Sequence, residues 1–161
     1  MKLISEACEY ALRTVVWLAR QPEGFYKTRE VAKATHAAPG YLVKVLQSLA
    51  RAKILSGQRG SQGGFKLLSD PAELTVLDVI NAVDPFDRIN ICPLGFKAYG
   101  GCLCPLHCRI DDAMASIEAS FQSTTIKDLI STNEPSQLLC NVLSLPVQVT
   151  KSKPDSASEK A

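Results

Sequence analysis

Four cysteines and a histidine fall within seventeen residues: Cys92, Cys102, Cys104 and Cys108, with His107 beside the last. Thiolates and imidazole are the ligands of iron–sulfur clusters, zinc and cuprous copper. Without metal, the same thiols can form a disulfide or a sulfenic acid on oxidation. The spacing, Cys-x9-Cys-x1-Cys-x3-Cys, matches none of the usual zinc-knuckle or ferredoxin strings. A [2Fe-2S] cluster, zinc and metal-free redox thiols therefore all remain open, beside cysteines that merely fill a loop. Cys8 and Cys140 stand singly in apolar runs and are expected to be small buried hydrophobes.

A second set of side chains suits phosphates and base edges. Along Tyr41 to Ala52, Leu42, Val45, Leu46 and Leu49 recur at helical spacing and predict a buried stripe. The other side carries Tyr41, Lys44, Gln47, Ser48 and Arg51, donors of the kind that contact DNA. Thr28, at the head of the preceding short helical run to Ala34, is a further candidate. After Ala52, Ile54–Ser56 and Phe65–Leu68 read as two short strands around the turn GQRGSQGG. There Arg59 is the long cation, and Gly60, Gly63 and Gly64 let the backbone approach a duplex closely. The order helix, break at Thr35–Gly40, helix, hairpin is that of a helix-turn-helix with a wing. It predicts a recognition helix lying in a major groove. A helical hairpin with no DNA role is the plain alternative.

The remaining elements must hold these two sets in place. Ser5 can cap a first helix running to about Arg20, with Ala7, Tyr10, Ala11, Thr14, Val15 and Leu18 inward. Thr75 to Val83 predicts a short helix. Residues 84–105 lose periodicity to Pro85, Pro93, Gly95, Gly100, Gly101 and Pro105, and an irregular stretch of that length is usually functional. Leu106 to Ser123 regains helical spacing, with Ile110, Ala113, Met114, Ile117 and Phe121 as an apolar stripe. Little of the chain is left to cover that stripe, so a second copy is the expected partner. A short helix at 125–130 follows, another is expected at 136–145, and the polar tail from about residue 146 is expected to be disordered.

With 161 residues, 46% of them hydrophobic, the chain can bury one core. Its net charge of +2 is unevenly divided. Residues 1–70 hold eleven Lys/Arg against five Asp/Glu (+6), and residues 71–161 hold seven against eleven (−4). The helix-turn-helix half is thus the basic half, as a phosphate-bearing partner requires. No apolar run spans a bilayer, and the first helix carries Glu6, Glu9 and Arg13 where a signal peptide would be apolar. A cytoplasmic protein is expected. There is no nucleophile–base pair with an orienting third group, nor a paired-carboxylate cleft, so catalysis is not expected.

Taken together, KLISEACEYALR, PGYLVKVLQSLARAKILSGQRGSQGGFKL, LTVLDVINAVD, the cysteine stretch and TTIKDLI resemble the Rrf2 (BadM-like) family of bacterial transcription regulators over about residues 1–132. The resemblance implies a mainly α winged helix-turn-helix with a small β-wing, acting as a homodimer on a double-stranded DNA operator, commonly as a repressor. It carries recognition-helix roles onto Tyr41, Leu42, Lys44 and Val45, and wing roles onto Arg59, Gly60, Gly63 and Gly64. Cluster-binding relatives space three cysteines as C-x5-C-x5-C with a fourth ligand, a pattern from which this chain departs. Cys92 and Cys104 resemble a CPLG and CPLH pair found in other members. Glu9 matches a first-helix carboxylate that ligates the cluster in some relatives. The implied layout is a DNA-binding domain over 1–83, a sensor segment over 84–105, a dimerisation helix and short helix over 106–132, and an extension over 133–161.

Overall fold

A computed structural model of the chain describes residues 3–60, 63–92 and 103–131. Cys102, Cys140, the expected helix at 136–145 and the tail lie outside the described residues. Among the described residues, six helices and one hairpin follow in order: α1 Glu6–Ala19, α2 Thr28–Thr35, α3 Pro39–Arg51, β1 Leu55–Gln58, β2 Gly64–Leu67, α4 Val76–Asn81, α5 Pro105–Ser123 and α6 Ile126–Ser131. The mainly α fold with a two-stranded antiparallel wing is the one the sequence predicts.

The Ser5 side chain accepts from the Cys8 N–H and so caps α1, as expected. Buried Ala11, Thr14, Val15 and Leu18 meet Val31 and Ala32 of α2 and Leu42, Val45, Leu46 and Leu49 of α3. Each fully buried leucine contributes about 1.5–3 kcal/mol of hydrophobic stabilisation, so these stripes decide how the helices sit. The break between α2 and α3 is shorter than predicted, only residues 36–38. Pro39 is the reason: its fixed φ suits a first helical turn, and α3 begins on it. His36 closes α2 in the left-handed conformation, φ 52°.

β1 and β2 pair Leu55 with Leu67 and Gln58 with Gly64. The strands are shifted from the predicted ones, because backbone pairing continues through Gly57 and Gln58, while exposed Leu68 lies past the ladder. Phe65 also exchanges backbone bonds with Tyr26, at 2.9 Å each way. Gly64 makes that approach feasible, since a Cβ there would run into the Tyr26 carbonyl. Trp17 meets the Tyr26 ring edge-on, so it packs at the base of the wing.

α4 starts on a reciprocal cap. Asp78 N–H donates to Thr75 Oγ1, and Thr75 N–H donates back to the Asp78 carboxylate. A second core of Cys8, Val76 and Ile80 holds α1 against α4, with Phe86 and Phe121 packed on it. The Cys8 thiol donates to the Ile80 and Asp84 carbonyls, and burial pushes its pKa up. It is a packing group, as its apolar run suggested. α6 returns to the body through Val76 N–H to Thr124 O and Ile126 N–H to Leu74 O. No helix among the described residues is long and apolar enough to cross a membrane.

Candidate functional site

Two groups of side chains emerge, one on the head formed by α2, α3 and the wing and one at the start of α5. On the head, the exposed face of α3 presents Tyr41, Lys44, Gln47 and Arg51, with Ser48 half-buried. Lys44 and Arg51 are seven residues apart, two helical turns, and so share a face. Arg51 Nη2 donates to Ser48 Oγ at 3.1 Å, which steadies the guanidinium along the helix. An open groove between α3 and the wing is lined by Gln47, Ala50, Arg51, Arg59 and Phe65. Arg59 and Gly60 are exposed at the wing tip, where Gly60 has φ +111°. Gly63 and Gly64 are half-buried on the returning strand side. Thr28 is half-buried in the first turn of α2. Tyr41 is 43% exposed, yet its ring also meets Tyr10 edge-on at 6.0 Å. Sequence reasoning missed Phe65 as part of this groove, because its strand position reads as core.

The second group is compact. Cys92, Cys104 and His107 bring their ligand atoms within 4.8 Å of one another. His107 Nδ1 lies 3.1 Å from Cys104 Sγ and 3.5 Å from Cys92 Sγ. Both cysteines are buried and the histidine is half-buried. Local geometry explains half of the cluster. Cys104 is the N-cap of α5 and His107 stands three residues on, so one helical turn aligns them. Cys108 is exposed and outside the group, since one further residue rotates its side chain about 100° around the helix. Glu9 pairs with Arg13 at 3.3 Å and is likewise outside it. Two thiols and an imidazole converging on one point are a donor set that fits a thiophilic metal centre.

Cys92 arrives on residues 85–92, which form neither helix nor strand. That arm is fastened to α5 by Arg88. Its Nε and Nη2 donate to the two oxygens of Asp111 at 2.6 and 2.5 Å, and its Nη1 donates to Glu118 at 3.3 Å. The Arg88 guanidinium, donating to Asp111, holds that carboxyl below the usual carboxylate range; Arg88 itself is shifted upward, chiefly by the same bond. Sequence reasoning did not single out Arg88, Asp111 or Glu118. Their partners are 23 and 30 residues away, beyond any local pattern.

On α5 itself no residue is fully buried. Ile110 is 40% exposed, Ala113 is exposed, and Met114 and Ile117 are half-buried. Phe121, expected on the same seam, packs edge-on against Phe86 of its own chain, at the end of α5 that rests on the second core.

Comparison with known proteins agrees with this architecture. Residues 4–132 match the Rrf2 family, described as iron-dependent transcriptional regulators. A protein of Aquifex aeolicus (strain VF5), named as an HTH-type transcriptional regulator, is 27% identical over 135 residues, 82% of this chain and 94% of its own. The solved structure of CymR (YrzC), the global cysteine regulator of B. subtilis, is 28% identical with a TM-score of 0.63, covering 81% of this chain and 98% of that one. T. potens IscR shares the fold at 22% identity, with a TM-score of 0.67 over 85% of this chain and 91% of its own. Family and neighbours are DNA-binding regulators and not enzymes. The chain belongs to the Rrf2 family of transcriptional regulators.

Proposed function

We propose that the protein is a homodimeric repressor whose affinity for a pseudo-palindromic operator follows the state of the Cys92–Cys104–His107 site. The observation that carries this reading is where those three residues meet. They converge on the first turn of α5, and the turns that follow carry exposed Ile110 and Ala113 and half-buried Met114 and Ile117. A change at the site is therefore a change at the end of the helix through which two copies would pair.

In this reading α3 of each head enters a major groove. Tyr41, Lys44, Gln47, Ser48 and Arg51 face bases and phosphates, and Arg59 reaches from the wing to the flanking minor groove. Two-fold pairing sets the heads on half-sites about 34–36 Å apart. An iron–sulfur cluster or a thiophilic ion held by Cys92, Cys104 and His107 would supply a cross-link between the 85–92 arm and α5. Cys102, Cys108 and Glu9 are the remaining candidates for a further ligand. His107 Nδ1 lies within reach of both sulfurs.

A second reading is supported by the same distances. With Sγ atoms within 4.8 Å, Cys92 and Cys104 are close enough that modest movement joins them in a disulfide, two electrons and two protons passing to a peroxide. The switch would then be a thiol couple without metal.

Anaerobic purification with an absorption spectrum and iron, sulfide and zinc analysis separates the two. The first reading expects a metal or cluster that is lost in Cys92→Ser and Cys104→Ser. The second expects none, and a Cys92–Cys104 disulfide after peroxide. Light scattering expects the mass of two chains, free and on duplex. A single-chain mass in both conditions refutes the dimer.

A further inference from the structure

Cys104 and His107 are placed by the helix that carries them. Cys92 is not: it follows residues 85–91, which have no helix or strand of their own. The arm meets α5 at three points, one of them Phe86 against Phe121. At another, Cys92 approaches His107. Four residues earlier, Arg88 grips both oxygens of Asp111 and reaches Glu118, and the Ile89 N–H donates to Asp111 Oδ1 at 3.1 Å. Cys104, His107, Asp111 and Glu118 follow one another at intervals of three, four and seven, which puts all four on one face of α5. The clamp and the thiol–imidazole group are thus two stations on a single stripe.

We infer that Arg88 is the positioning residue of this site: by locking the 88–89 backbone to Asp111 it delivers Cys92 to Cys104 and His107. The inference rests on reading those three residues as one functional site. A two-pronged guanidinium–carboxylate pair fixes direction as well as distance, which a single charge contact does not. The backbone bond from Ile89 to the same carboxylate makes Asp111 the common anchor of side chain and main chain. Without the clamp, the helix turn still offers Cys104 and His107, but the third ligand has to be ordered when the metal arrives. Ordering of that kind weakens binding, and loss of groups that orient ligands typically lowers metal affinity about 10–100-fold.

The test compares wild type, Arg88→Ala, Arg88→Lys, Cys92→Ser and the Arg88→Ala/Cys92→Ser double variant. The first readout needs no metal. Chelator-treated protein is alkylated with iodoacetamide, and the rates at Cys92 and Cys8 are followed by peptide mass spectrometry. Buried Cys92 should react at least about tenfold faster in Arg88→Ala, because an arm released from α5 exposes its thiol. Cys8 in the second core should be unchanged, and Arg88→Lys, which keeps the charge but not the fork, should fall between. An unchanged Cys92 rate overturns the inference. So does a joint rise at Cys92 and Cys8, which means general loosening.

The second readout is cobalt(II) titration, whose charge-transfer bands report thiolate ligation. Arg88→Ala should weaken binding about 10–100-fold, and should add nothing in the Cys92→Ser background. A full effect of Arg88→Ala in that background shows that Arg88 does not act through Cys92 and overturns the inference. Equal cobalt affinity in wild type and Cys92→Ser counts instead against a metal site. Alkylation then still decides whether Arg88 holds Cys92.

Discussion

Removing cations from the α3–wing face should change the salt dependence of DNA binding by a calculable amount. Lys44 and Arg51 lie two turns apart on exposed α3, and Arg59 lines the same groove as Gln47 and Arg51. Each cation that meets a phosphate contributes about 0.9 to the slope of log K against log salt. In a dimer, Lys44→Ala, Arg51→Ala or Arg59→Ala removes two such contacts, so each variant should lower the slope by about 1.8, and the triple variant by about 5.4. Over a rise from about 50 to 200 mM salt, the advantage of wild type over one single variant should shrink about twelvefold. The assay is fluorescence anisotropy on a labelled duplex at five or six salt concentrations. Lys127→Ala is the control, because it removes the same charge from an exposed position of α6, a helix that packs against α1. A change near 0.9 per variant points to one head on DNA at a time. An unchanged slope in the triple variant, or an equal fall in Lys127→Ala, refutes the assignment of this face.

Packing and one hydrogen-bonded carboxylate set three further outcomes. Leu46→Ala, at a site with no solvent exposure, should cost about 2–5 kcal/mol in urea unfolding, whereas Val43→Ala on the exposed side should stay within about 0.5 kcal/mol; equal costs would contradict the inward face of α3. Gly64→Ala should lower the melting temperature because its Cβ meets the Tyr26 carbonyl, while Gly40→Ala, with open space at that position, should not. Asp128 accepts from the Thr125 hydroxyl, which lowers its pKa in the folded chain. A depressed carboxylate contributes stability that is present above the unfolded value of about 3.9 and lost as pH falls through the folded one. Asp128→Asn should therefore destabilise the protein at neutral pH, and the difference from wild type should vanish in acid; a difference independent of pH would contradict the sign.

Much of the head is legible from residue order alone. The leucine and valine spacing of α3, Pro39 at its first position, and Ser5 and Thr75 as caps are local signals, and each element forms where its signal lies. Boundaries moved where backbone chemistry outweighs side-chain pattern, as in β1, which continues through Gly57 and Gln58. The cysteine site is half legible. Cys104 and His107 are one turn apart in sequence and in space, but the arrival of Cys92 depends on an arginine whose partners no periodicity reveals. The rotation that turns Cys108 outward depends on where α5 begins, a boundary that spacing leaves uncertain by more than one residue. Phe121 continues the apolar stripe in sequence, yet meets Phe86 because α4 ends beside it, a tertiary fact with no local trace.

The most direct test of the account is operator affinity measured on one duplex for three states of the protein: as purified without oxygen, chelator-stripped, and peroxide-oxidised. A spread of at least about tenfold is expected among the states, the scale of ordinary allosteric coupling, and it should collapse in the Cys92→Ser/Cys104→Ser variant, which should still bind DNA. One affinity common to all three states of the wild-type protein would contradict it.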